Sequence, residues 1–134
     1  MNKFQLLLKN PIIDNYDTLL PNDNYIDNIL GYNLAIPKPD GKPFIFSSYA
    51  LSIDGKLCYP DIKSGFSIAK CNHHALERER GADWFILMLA RAIADTIIIG
   101  TNSLRYEPDD FLPDISDPEL TQMRKKLTTS KYPT

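Results

Sequence analysis

The sequence predicts an α/β fold with a mainly parallel sheet, and three segments carry the prediction. Phe44 to Leu51 is dense in aromatic and β-compatible residues and starts just after Pro43, as strands do. Trp84 to Ala94 consists of helix formers and is apolar almost all round, so a helix covered on more than one side is expected. Ile97-Ile98-Ile99 runs into Gly100, the pattern of a strand buried on both faces in a parallel sheet. Strand, helix, buried strand and helix in that order make a βαβα unit with a right-handed crossover.

Taken in order, residues 1–42 read as an irregular arm rich in Asn, Asp and Pro. Its short apolar patches are Leu6–Leu8, Ile12–Ile13, Leu19–Leu20 and Ile29–Leu30. The run from Pro37 to Pro43 is loop punctuation, and residues 43–134 form the expected compact domain. After the first strand, Asp54-Gly55 turns the chain, and Lys56 to Tyr59 returns as a short strand. A loop follows through Pro60 and Gly65. Asn72 is a fitting cap for a first helical piece, Gly81 an interruption, and Asp83 a second cap before the apolar helix. The last helix is capped by Ser116 or Asp117, opens with Pro118 and fills Glu119 to Leu127. Lys125 and Lys126 then suit the negative end of its dipole.

The chain has 134 residues and a mass of 15.3 kDa, enough for one core that buries on the order of two-thirds of the unfolded surface. Hydrophobic residues make up 43% and charged residues 24%, as in ordinary soluble domains. Fifteen Lys and Arg against seventeen Asp and Glu leave a net charge of -2. No basic stripe marks a nucleic-acid or membrane-surface binder. Trp84 to Ala90 is the longest apolar run, and Arg91 and Asp95 interrupt it well short of the ~20 residues of a membrane span. Cys58 and Cys71 form no CxxC pair, and the N-terminal Leu run is too short for a secretory core. Reduced thiols in a cytoplasmic protein are the expectation.

Ligands of open α/β sheets bind beyond the carboxyl ends of the strands. Two segments have that position here, Ser52-Ile53-Asp54-Gly55-Lys56 and Gly100-Thr101-Asn102-Ser103-Leu104-Arg105. Each combines glycine, small polar residues and one cation. Exposed backbone N–H groups suit phosphate oxygens, and an arginine can hold a phosphate in bidentate fashion. Taken singly, each is equally an ordinary Asp-Gly turn or an ordinary strand exit.

Together the two segments resemble a known family. PFIFSSYALSIDGKL, then SGFS, then ARAIADTIIIGTNSLRYEP resembles the reductase domain of riboflavin biosynthesis, the RibD C-terminal type. That family has a dihydrofolate-reductase-like, three-layer αβα fold. The likeness spans Pro43 to Pro108. In this sequence Ile53 stands for the family's Leu in Ser-Leu-Asp-Gly, and Gly100–Arg105 stands for Gly-Ala-Gly-Thr-Val-Arg. Asn102 replaces the second glycine of that loop. One acidic residue before Pro108 and the aromatic residue after the Gly-x-Ser loop are missing.

The resemblance implies a cytoplasmic, dimeric enzyme that uses NADPH to reduce the ribosyl group of a phosphorylated phosphoribosylamino-pyrimidine to a ribityl chain. It implies that Ser52, Asp54, Lys56, Ser67, Arg91 and Glu107 face the substrate. Gly100, Thr101, Asn102 and Ser103 would lie against the cofactor, with Tyr49 and Leu57 as wall residues. It assigns no proton donor. It also implies a domain of roughly 200 residues or more, so these residues are expected to form only its opening part, a C-terminally truncated copy. A non-catalytic, dimerising relative, or a reductase of another pterin- or pyrimidine-like substrate, is the alternative.

Other groups have plainer readings. Cys71-Asn72-His73-His74 matches no standard zinc spacing, and no metal is expected. His73 and His74 stand outside both segments, Glu77 to Arg80 is a solvated helix turn, and Trp84, Phe85 and Met88 are core. Arg91 interrupts an apolar helix, so its charge needs a partner. That partner is either Asp95, at i+4, or a ligand phosphate. No GxGxxG or P-loop motif occurs.

Overall fold

The computed structural model describes residues 24–31, 34, 41–62, 64, 68, 77–109 and 114–134, with residues 77–80 described by backbone alone. Among them are four helices: α1 (Asn24–Leu30), α2 (Glu77–Ile93), α3 (Thr101–Tyr106) and α4 (Pro118–Leu127). The chain divides into two compact units, Met1–Phe46 and Ser47–Thr134.

In the first unit, α1 buries Ile26 and Leu30, four residues apart and so on one helical face. Gly31 follows with φ +79, a left-handed conformation that glycine adopts without steric cost. Its N–H donates to the Asp27 carbonyl at 2.9 Å, which closes the helix in the usual left-handed manner. The arm expected to be irregular therefore contains one short helix, and its other patches lie outside the described residues.

The second unit is organised by α2 against α4. Phe85, Met88, Leu89 and Ala92 of α2 are buried together with Ile115 and with Leu120 and Met123 of α4. Their spacing places each set on one helical stripe. Each large side chain contributes about 1.5–3 kcal/mol by leaving water. The last helix is as the sequence predicts. Asp117 is the cap, its Oδ1 accepting from the N–H groups of Glu119 at 2.9 Å and Leu120 at 3.1 Å, and Pro118 occupies the first turn. Arg124, Lys125 and Lys126 fill the last turn.

Helix α2 starts earlier than its apolar run suggests. It runs from Glu77 through Gly81 and Asp83 without a break. A single glycine costs about 1 kcal/mol in a helix, too little to interrupt 17 residues held by tertiary packing. The helix is covered on one side rather than on several. Trp84 is 47% exposed and Ile86 37%, and Leu87, Ala90 and Ile93 are half-buried. The Trp84 Nε1–H donates to Ser116 Oγ at 3.3 Å. Trp84 thus sits at the margin of the core rather than within it.

The parallel-sheet, dihydrofolate-reductase-like αβα architecture is overturned: no strand occurs among the described residues. Phe44 to Leu51 is neither helical nor paired, and every residue of it except half-buried Ala50 is exposed. Lys56 to Tyr59 forms no returning strand either. The Ile97–Ile99 segment is half-buried at both ends and open in the middle, with Ile98 90% exposed. The physical reason is that β propensity describes fit to a paired, half-covered surface. A strand without a ladder partner has nothing to satisfy its backbone.

One trace of pairing remains. The Ile97 N–H donates to the Thr134 carbonyl at 2.8 Å, and the Thr134 N–H donates to the Asp95 carbonyl at 2.9 Å. One residue that bonds to both neighbours of a facing residue is the hydrogen-bond pattern of parallel chains. Here it is one rung long.

Candidate functional site

The first predicted segment folds into a compact, exposed turn. The Gly55 N–H donates to the Ser52 carbonyl at 2.8 Å, and the Ser52 N–H donates to the Lys56 carbonyl at 3.0 Å. Gly55 has φ +81. This bond pattern, with glycine in the left-handed position, is that of a three-residue hairpin loop closed by a glycine bulge. Asp54-Gly55 therefore turns the chain as the sequence predicts.

The same turn gathers three predicted site residues. Ser52 Oγ donates to Asp54 Oδ1 at 2.5 Å and accepts from the Lys56 N–H at 2.9 Å. Lys56 Nζ donates to Asp54 Oδ2 at 2.5 Å. Lys56, and then Ser52, hold the Asp54 carboxyl below the usual aspartate range, since hydrogen bonds and a cation both favour the charged form. Ser52, Asp54 and Lys56 thus form one preset polar group, charge-neutral as a whole. Tyr49 and Leu57, on either side, are 67% and 52% exposed.

The second predicted segment is a helix start instead of a loop. Gly100 (φ -68, ψ 141) is the cap of α3 and provides no side-chain bond, and α3 buries none of its residues. Gly100, Thr101 and Asn102 are exposed and Ser103 is half-buried. A Cβ placed on Gly100 would meet only Ser103 Oγ, at 4.0 Å. Glu107 closes the helix, its N–H donating to the Ser103 carbonyl at 2.9 Å. No hydrogen bond or ion pair among the described residues joins the Ser52–Lys56 turn to Gly100–Ser103.

Arg91 is buried at 7% exposure. Its Nη1 lies 3.6 Å from Asp114 Oδ1 and donates to the Asp114 carbonyl at 3.3 Å. The carboxylate partner expected at Asp95 is thus supplied by Asp114. Burial lowers the Arg91 pKa, and Asp114 acts in the opposite direction. Ser67 and the Cys71–His74 group lie outside the described residues. Cys58 is a free, exposed thiol.

Sequence reasoning missed Arg124, which is 1% exposed. Its Nη1 donates to the carbonyls of Ala94 at 2.6 Å, Ala92 at 3.1 Å and Arg91 at 3.4 Å. Its Nε donates to the Ser130 carbonyl at 3.0 Å, while Nη2 is buried with no partner. One guanidinium therefore takes up the open carbonyls at the end of α2, which a helix terminus must otherwise satisfy elsewhere. A signal was present: Arg124 follows Leu120 by four residues and so falls on the apolar stripe of α4.

No group of three or more His, Cys, Asp or Glu residues suited to a metal occurs among the described residues, and no helix among them is long and apolar enough to cross a membrane. Comparison with protein-family models, with curated proteins and with solved structures found no match to this chain.

Proposed function

We propose that the chain carries loops of an NADPH-dependent reductase acting on a phosphorylated ribosylamino-pyrimidine. The observation that carries the reading is the ordered pair of segments, Ser52–Lys56 and Gly100–Arg105. The first supports it by forming a preset turn whose hydroxyl, carboxylate and ammonium converge. The second supports it through Gly100, whose open Cα lets a ligand approach the backbone.

In this reading a bound NADPH would supply the hydride that reduces C1 of the opened sugar, an imine at that stage, leaving NADP+, with the proton for the imine nitrogen drawn from solvent. Ser52, Asp54 and Lys56 bind and orient the sugar hydroxyls, which limits the reacting geometries. Gly100, Thr101, Asn102 and Ser103 contact the cofactor, and Glu107 lies one turn further along the chain. The compartment proposed is the cytoplasm.

A second reading is a non-catalytic, dimerising relative. It is favoured by the cations themselves. Lys56 already faces Asp54, and buried Arg91 already faces Asp114, so each would have to leave a carboxylate to bind a ligand phosphate. Titration of the folded protein with NADPH, read by nucleotide fluorescence, separates the two. Saturable binding that weakens in Gly100→Val or Asn102→Ala supports the reductase. Absence of binding at millimolar NADPH, with helical circular dichroism intact, refutes it and leaves the second.

A further inference from the structure

Asp54-Gly55 is one of two Asp-Gly pairs in the chain, the other being Asp40-Gly41. The backbone nitrogen that follows an aspartate can attack the side-chain carboxyl carbon and close a five-membered ring. Glycine in the second place leaves that nitrogen with no Cβ beside it, so attack is least hindered. Asp54 and Gly55 are both exposed. A Cβ built on Gly55 would meet nothing within 4 Å, so the space beside the nitrogen is open among the described residues.

Both reacting groups are held, and Ser52 holds both of them. Its carbonyl accepts the Gly55 N–H at 2.8 Å, so the attacking nitrogen is engaged by the turn. Its hydroxyl donates to Asp54 Oδ1, and the Lys56 ammonium donates to Asp54 Oδ2, each at 2.5 Å. Both bonds favour the carboxylate over the neutral acid. A carboxylate is a poor electrophile, because its oxygen leaves readily only as water from the neutral acid. The bonds of the turn therefore restrain a reaction that its sequence and exposure permit.

We propose that Asp54-Gly55 is a site of spontaneous isoaspartate formation, latched by Ser52 and Lys56. The Gly55 nitrogen bonds to Asp54 Cγ and gives up its proton. The Cγ–OH bond breaks, and water leaves. Water then adds to the resulting succinimide at the former backbone carbonyl carbon, and the bond from that carbon to the Gly55 nitrogen breaks. The chain now runs through Cγ and is one methylene longer, and the former backbone carbon carries the carboxylate. No oxidant, reductant or enzyme takes part, and the mass of the chain is unchanged. The carboxylate no longer stands where Ser52 Oγ and Lys56 Nζ reach it, so the polar group of the turn is dismantled. The chemistry is the same whether or not the turn binds a substrate.

The test is the isoaspartate content of the full chain after warm incubation at neutral pH. Enzymatic methyl transfer to isoaspartate measures the amount. Electron-transfer fragmentation of the peptides places it at residue 54, apart from residue 40. The folded parent should accumulate it about fivefold more slowly than the same chain unfolded in guanidinium chloride, a change the size of one ordinary backbone hydrogen bond. Lys56→Met should accelerate the folded chain about threefold, the scale of an exposed ion pair, with helical circular dichroism unchanged. Ser52→Ala, which loses the hydroxyl, should act in the same direction. The comparison of folded and unfolded parent needs no variant to fold. No isoaspartate at residue 54 of the folded parent, equal rates in the folded and unfolded chain, or a Lys56→Met rate equal to the parent's would each overturn the proposal.

Discussion

Arg124, a buried cation on α4, fixes the end of α2, and its replacement should loosen that end. Arg124→Ala removes three well-placed hydrogen bonds, from Nη1 to the Ala94 and Ala92 carbonyls at 2.6 and 3.1 Å and from Nε to the Ser130 carbonyl at 3.0 Å. It also removes a longer one to Arg91, at 3.4 Å. Charge-assisted bonds contribute about 1.5–3 kcal/mol each before the cost of desolvating the cation. That cost is large here, because Arg124 is 1% exposed, its Nη2 has no partner, and burial lowers its pKa against the pull of Asp95. The net loss expected is about 3–4 kcal/mol, in the range for breaking a buried polar network. Domains of this size are stable by about 5–15 kcal/mol. Urea unfolding is the assay. With a slope of about 1–3 kcal/mol per molar urea, the midpoint should fall by about 1–4 M at unchanged slope. Arg124→Lys should recover less than half of the loss, since one ammonium cannot span both the α2 carbonyls and Ser130. Arg124→Met, similar in volume, isolates the hydrogen bonds from the packing. A midpoint shift below about 0.3 M for Arg124→Ala, or full recovery by lysine, would show that Arg124 does not hold the end of α2.

Three further outcomes are expected. Asp117→Ala should destabilise by about 1 kcal/mol and Asp117→Ser by much less, because serine can accept the same two N–H bonds; thermal unfolding measures both. Asp54 has a lowered folded-state pKa, so the stitching of its turn is fully present above the unfolded aspartate value and is lost as pH falls through the lower folded value. NMR titration of the Gly55 and Lys56 amides should show that acid transition, and Lys56→Met should move it to higher pH. Gly100→Ala should cost under about 1 kcal/mol, since the added Cβ meets only Ser103 Oγ at 4.0 Å and only the cap preference opposes it. If the same variant abolishes NADPH binding, the backbone at Gly100 is the contact surface. If binding is unchanged, the cofactor assignment of Gly100 to Ser103 fails.

What the sequence made legible follows the range of the interactions involved. Asp117, Pro118 and the basic residues of α4 act within one or two turns, so their meaning is local and the helix is found where they place it. Asp54-Gly55 is equally local, and its turn is found too. The strand predictions at Phe44–Leu51 and Ile97–Ile99 depended on a partner that no residue within either segment specifies. They fail among the described residues because a strand is defined by what it pairs with. Arg91 shows the intermediate case. Its burial and need for a carboxylate followed from one charge on an apolar helix, but the choice of Asp114 over Asp95 depended on where the chain returns. Asp95 is i+4 on the helical register, yet α2 ends at Ile93, and the carbonyls beyond are taken up by Arg124 and Thr134. The end of α2 is thus where local and distant requirements meet. Arg124 closes the helix, and Thr134 takes one edge of the chain that follows. Because Arg124 binds both the α2 carbonyls and Ser130, it also sets where Thr134 lies against Ile97. Arg124→Ala should therefore raise exchange at the Ile97 amide.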